Sequence, residues 1–159
     1  MKERRNSPSV VMWGLQNEST LPKEFAEECS EIIREMDPTA RTMRVITTCN
    51  GGDGTDWNVI QNWSGTYGGD VNKYGRELSQ KNQLLNGEYG AWRSIGLHTE
   101  SGEFEVNGTW SEDRMCRLME TKIRLAEQAR DSVCGQFQWI YSSHDNPGRA
   151  SRMKLTENR

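Results

Sequence analysis

The sequence is poor in apolar residues and has no long apolar run. Only 33% of its 159 residues are hydrophobic, and mean hydropathy is -0.88. No segment approaches the roughly 18 apolar residues of a spanning helix, so no membrane partner is expected. There is no excess of positive charge either. Lys and Arg number 20 against 23 Asp and Glu, interspersed, for a net charge of -3. That leaves no basic footprint for nucleic acid. The four cysteines, Cys29, Cys49, Cys116 and Cys134, lie far apart with no CxxC, and none is near His98 or His144 in sequence. They read as free thiols in or near a core, not as a zinc site or a disulfide framework. Met1–Arg5 leads into no apolar signal region. Internal repeats and low-complexity stretches are also missing. What the chain does have is aromatic residues: six Trp, four Tyr and three Phe. That is too many for a disordered chain, and the length suits about one domain of roughly 150 residues.

Short apolar runs alternate with amphipathic segments. Val10-Val11-Met12-Trp13-Gly14-Leu15 is a run of strand length that breaks into Gln16-Asn17-Glu18-Ser19-Thr20. Pro22 suits a first helical turn. Phe25, Cys29, Ile32, Ile33 and Met36 then fall on one helix face, ended by Asp37-Pro38. Arg44–Thr48 and Val59–Trp63 read as second and third strands, each followed by a Gly-rich loop. A weak helix over Val71–Ser79 precedes a fourth strand, Gln83–Gly87. Thr109-Trp110-Ser111-Glu112 fits a capping box. Met115, Leu118, Met119, Ile123, Ala126 and Ala129 mark a long helix behind it. Gln136–Tyr141 reads as the last strand, and residues 149–159 as a polar tail. Alternation of this kind predicts an α/β fold with a parallel sheet. In such folds the ligand site lies at the carboxyl ends of the strands.

Two carboxylates stand at such ends: Glu18 past the first strand and Glu88 past the fourth. Paired carboxylates are what cleavage of a glycosidic bond needs. One protonates the leaving oxygen, and the other meets the oxocarbenium-like carbon. Position alone does not single them out among 23 acids, most of which are surface charges.

Their surroundings do. Arg5-Asn6-Ser7-Pro8-Ser9-Val10-Val11-Met12-Trp13-Gly14-Leu15-Gln16-Asn17-Glu18 resembles the acid/base signature of glycoside hydrolase family 2, the β-galactosidase and β-glucuronidase family. Ser7 stands where that family usually has His, and Gln16 where it has Gly. Asn86-Gly87-Glu88-Tyr89-Gly90-Ala91 resembles the family's nucleophile motif. Asp37-Pro38-Thr39 and Phe137-Gln138-Trp139 also fit. The family places the first motif on barrel strand four and the second on strand seven, the same offset of three as here. The resemblance therefore implies a partial (β/α)8 TIM barrel, strands four to eight, over residues 1–148. A whole barrel takes about 250 residues, and five-eighths of it about 156. Strands one to three and the family's β-sandwich domains would be supplied by the rest of a parent chain.

The resemblance also implies roles. Glu18 is the general acid and later the general base, so it must hold a proton at working pH. Glu88 is the nucleophile, which must stay ionised. The two carboxyl groups should face one cleft about 5–5.5 Å apart, the separation of a retaining enzyme. Asn17 would bond the sugar 2-hydroxyl, and Trp139 would floor the sugar subsite. The family often uses a Tyr after the third of these strands to hold the nucleophile. That position falls near Ser64, so Trp63 or Tyr67 is expected to fill it, with plain loop packing as the other reading of Tyr67. Trp92, Arg93, His98 and His144 are further candidates for substrate contact. The implied activity is hydrolysis of β-linked sugars, β-galactosidase-like, with β-glucuronides or other β-glycosides as alternatives. A non-catalytic carbohydrate-binding piece is the rival from another class. No metal or organic cofactor is required by two carboxylates. Family members are often secreted or periplasmic. The sequons at Asn17, Asn62 and Asn107 read as chance matches, since the first two fall in the proposed active site.

Overall fold

The computed structural model describes residues 1–80, 85–91, 98 and 111–141. They fall into two compact units, Met1–Gln61 and Asn62–Arg159.

In the first unit, strand β1 (Met12–Asn17) pairs in parallel with β2 (Val45–Cys49), and β2 pairs in parallel with β3 (Trp57–Val59). Strand β1 begins two residues later than the apolar run, because its ladder starts at Met12 opposite Val45. Val10 and Val11 precede it, and Val11 is exposed. Strand β3 also departs from expectation: it covers Trp57–Val59, not Val59–Trp63. Residues 50–56 form the Gly-rich loop expected after the second strand. The Asn58 side chain shapes that loop by accepting from Gly51 N at 3.1 Å and Thr48 Oγ1 at 3.0 Å.

Helix α1 (Lys23–Met36) returns the chain from β1 to β2. It buries Ala26, Ser30 and Ile33, while Phe25 and Ile32 are exposed. The buried stripe is thus turned from the purely apolar one, because the close contact is made by small residues. Ser30 Oγ donates to Ala26 O at 2.8 Å and to Gly54 O at 3.2 Å. Gly54 has φ +104°, and a Cβ there would meet Lys23 O at 2.6 Å. Only glycine lets the loop come this near the helix. Ile33, Ala40 and Ile46 form the core, flanked by Trp13 and Leu15.

The Asp37 carboxylate ties these pieces together. It accepts from Thr39 N and Oγ1, from Trp13 Nε1 at 2.8 Å and from Arg44 Nη1 at 2.7 Å. Those donors, Thr39 first and then Trp13 and Arg44, outweigh burial and hold the carboxyl far below its ordinary range. Arg44 also donates to the carbonyls of Arg5 and Ser7, which anchors the segment leading into β1.

In the second unit, β4 (Leu85–Tyr89) pairs in parallel with β5 (Gly135–Gln138). Glu88 lies inside β4 rather than beyond it, and β5 stops at Gln138, short of Tyr141. A single turn of 3-10 helix, Val71–Lys73, is capped by Asp70 and runs into α2 (Tyr74–Gln80). Helix α3 (Glu112–Gln128) starts at Ser111, whose hydroxyl accepts from Arg114 N at 3.0 Å. The cap is therefore Ser111, not Thr109, which lies outside the described residues. Tyr74, Leu78, Tyr89, Ala126 and Val133 make the core. The buried stripe of α3 is Arg114, Leu118, Lys122 and Ala126, one residue every four. Ile123, expected inside, is exposed, and Lys122 takes the inner place.

Candidate active site

Glu18 is the first residue after β1, and its backbone is left-handed at φ 51°. That region is uncommon for a side chain with a Cβ and costs on the order of 1–3 kcal/mol. A main-chain bond holds it there: the Glu18 N–H donates to Cys49 O at 2.9 Å. The strand thereby ends abruptly and leaves the Glu18 side chain exposed. The preceding residue, Asn17, is also exposed, yet its amide is held. Gln61, buried, donates from Nε2 to Asn17 Oδ1 at 3.1 Å. With Oδ1 accepting that bond, the NH2 is the donor end of the amide.

Glu88 is half-buried in β4, and its surroundings are assembled by three carbonyls in a row. Asn62 N donates to Glu88 O at 3.1 Å, and Trp139 N to Tyr89 O at 2.7 Å. Gly90 O accepts from Lys122 Nζ at 2.9 Å and from Thr66 Oγ1 at 2.5 Å. These bonds bring Trp63, Tyr67 and Trp139 to the end of β4. The Trp63 and Tyr67 rings lie 5.2 Å apart at 48°. Atoms of the Trp63 ring would stand 3.0 Å from a Cβ at Gly90. Trp139 is partly exposed and lines a pocket of about 270 Å³ with Ala91, Met115, Met119, Gln138 and Tyr141. Ser64 donates its hydroxyl to the Glu77 carboxylate. Asn62 Nδ2 donates to the same carboxylate at 3.1 Å.

Glu18 with Asn17 therefore belongs to the first unit, and Glu88 with Trp63, Tyr67 and Trp139 to the second. His98 is exposed near the start of α3, where it meets Asp113 at 3.2 Å and Glu112 at 3.5 Å. Trp92, Arg93 and His144 lie outside the described residues.

Sequence reasoning missed Gln61, Asn62, Glu77 and Lys122. Lys122 had a readable signal: it sits four residues after Leu118 and four before Ala126, in the middle of a buried stripe. Its ammonium lies 5.3 Å from the Tyr74 ring centre and 5.9 Å from that of Trp63. Burial, reinforced by Arg114 and opposed by Glu77, lowers its pKa to about 7. Burial also raises the Tyr74 and Tyr89 phenols and lowers Arg114. Among the described residues no group of His, Cys, Asp and Glu has the arrangement of a metal site.

Parallel strands joined by helices carry ligand chemistry at their carboxyl ends, where Glu18 follows β1 and Glu88 stands one residue before the end of β4. Residues 1–143 match the TIM barrel domain of the glycosyl hydrolases family 2. The chain belongs to that family, as part of its (β/α)8 barrel. The fold is similar to three solved structures. One is the GH2 beta-galacturonidase from Eisenbergiella tayi bound to galacturonate, at TM-score 0.66 and 22% identity, covering 86% of this chain and 27% of that one. A second is Bacteroides uniformis beta-glucuronidase 3, at TM-score 0.65 and 24% identity, covering 86% and 21%. The third is the FMN-binding beta-glucuronidase from Facaelibacterium prausnitzii L2-6, at TM-score 0.65 and 21% identity, covering 86% and 23%. The chain thus spans about a quarter of their length. No curated protein sequence matches it.

Proposed function

We propose that this chain carries the catalytic carboxylates of a retaining β-glycosidase acting on β-galactosides, in a barrel that further residues complete. Residues 1–148 are its share of that barrel. Glu88 attacks the anomeric carbon while Glu18 gives its proton to the departing oxygen, and a glycosyl–enzyme ester forms. Glu18, now ionised, takes a proton from water. That water attacks the same carbon, and Glu88 leaves with its original charge. A retaining mechanism requires its two carboxyl groups about 5–5.5 Å apart. Asn17 holds the 2-hydroxyl, a bond that strengthens as the ring carbon gains positive charge. Trp139 supports the sugar ring, Trp63 and Tyr67 wall the nucleophile, and His144 contacts the substrate.

The observation that carries this reading is the left-handed backbone of Glu18 beside an Asn17 amide whose Oδ1 is held by Gln61. An exposed acid held at that conformational cost fits a working group better than a surface charge. A second reading, hydrolysis of β-hexuronides, is favoured by the substrates named for the three similar structures.

The test uses the complete barrel and 2,4-dinitrophenyl β-D-galactopyranoside, with the matching glucuronide and galacturonide as separate arms. Glu88→Gln is expected to abolish both half-reactions. Glu18→Gln is expected to give a burst of phenol and then stall, because the activated leaving group needs no proton while water needs a base. Azide should restore its turnover and yield the β-glycosyl azide. An α-azide, or rescue of the Glu88 variant instead, overturns the assignment.

A further inference from the structure

Three consecutive carbonyls fix the backbone that carries Glu88. Two of them, Glu88 O and Tyr89 O, accept from main-chain N–H groups of Asn62 and Trp139. Those bonds are available to almost any sequence. The third, Gly90 O, is held by side chains among the described residues: Lys122 Nζ at 2.9 Å and Thr66 Oγ1. Lys122 also donates to Thr66 Oγ1 at 2.7 Å. One ammonium therefore joins helix α3, the loop after β3 and the residue two past Glu88.

Lys122 is fully buried, and the positions one helical turn either side, Leu118 and Ala126, are apolar. A charge here is unfavourable for the fold alone, and a methionine would fill the same stem volume without it. The carboxylate nearest in the electrostatic sense, Glu77, is engaged by Asn62 and Ser64. The ammonium's remaining neighbours are the Trp63 and Tyr74 rings, within cation–π range. Trp63 is also the ring packed against Gly90.

We propose that Lys122 is a positioning residue for the attack by Glu88, pinning Gly90 O and the Thr66 loop so that carboxylate and aromatic wall keep one geometry. It does not touch substrate. The proposal rests on the reading of Glu88 as nucleophile. The titratable groups facing the ammonium are Arg114 from its own helix and Glu77 and Tyr74 from α2; Tyr89 lies behind Tyr74, the two rings 6.4 Å apart. Burial raises both phenols, which keeps them neutral around pH 7. The charge that changes around neutrality is therefore that of Lys122.

The experiment is made in the complete barrel with 2,4-dinitrophenyl β-D-galactopyranoside. A Glu18→Gln background removes titration of the acid. Lys122→Met should lower kcat/KM for glycosylation by about tenfold to a hundredfold, the cost of a nucleophile misplaced by roughly 1 Å. Inhibition by free galactose should stay within about twofold, since ground-state binding is untouched. The basic limb of the glycosylation profile near pH 7 should vanish with the lysine. A kcat/KM within about twofold of the parent, or the same basic limb in both proteins, overturns the proposal. If Lys122→Met gives no cooperative melt, Thr66→Val is judged instead: it keeps the ammonium but removes its hydroxyl partner. A severalfold loss in kcat/KM supports the clamp, and none overturns it. Absence of turnover in the unsubstituted protein on the galactoside, glucuronide and galacturonide overturns the glycosidase reading itself. A defect confined to Lys122 and Thr66 variants leaves that reading standing.

Discussion

Lys122→Met should make stability respond differently to pH. In the unfolded chain the lysine titrates near 10.5, and in the fold near 7. Between those values the unfolded chain holds a proton that the folded chain has released. Raising pH through this window therefore favours the fold, and below pH 7 the full charge must be buried. At about 1.4 kcal/mol per pH unit, the drop from 10.5 to about 7 corresponds to on the order of 5 kcal/mol. Screening is slight because the side chain is fully buried. Methionine has no proton to exchange. The assay is urea unfolding of both barrels at about pH 6.5, 8 and 9.5. The parent should gain about 3 kcal/mol on Lys122→Met across that range. Two stability curves that run parallel, within about 0.5 kcal/mol, would refute the buried charge. The sign matters for function, because the charged form that the clamp uses is also the form that weakens the fold.

Two further substitutions probe the site. A Cβ at Gly90 would lie 2.1 Å from Trp139 O and 3.0 Å from the Trp63 ring, so Gly90→Ala should cost about 3 kcal/mol of stability together with most activity. An unchanged melting temperature would contradict that packing. Gln61→Leu frees the Asn17 amide. It should lower kcat/KM about tenfold on a 2-hydroxy glycoside and little on its 2-deoxy analogue, and equal losses on both would remove Gln61 from 2-hydroxyl recognition.

The strand and helix order was legible because runs such as Met12–Leu15 and Arg44–Thr48 have strand length and β-branched or aromatic content. Both candidate carboxylates stood out among 23 acids because the residues around them form extended motifs. Boundaries were less so. Strand β3 was displaced because polar Asn58 belongs to the ladder while bonding loop groups, which hydrophobicity cannot register. The face of α1 was misjudged because the small polar Ser30 buries where Phe25 does not. Lys122 was overlooked for the same reason, since a charged residue on an inner face looks like a break in the pattern unless its partners are known. Those partners, Gly90 O and Thr66, lie 32 and 56 residues away. Gln61 likewise reaches 44 residues back to Asn17. Contacts of that range follow from the topology, not from local composition.

The central claim is that Glu88 forms the covalent bond to sugar. The most direct measurement is trapping of the complete barrel with 2,4-dinitrophenyl 2-deoxy-2-fluoro-β-D-galactopyranoside, with the matching uronides in parallel. The fluorine slows release of the intermediate more than the good leaving group slows its formation. Intact mass should rise by one fluorosugar, and peptide mapping should place it on the segment containing Asn86-Gly87-Glu88-Tyr89. A label on Glu18 or any other carboxylate, or continued hydrolysis with no label on any of the three sugars, would contradict the account.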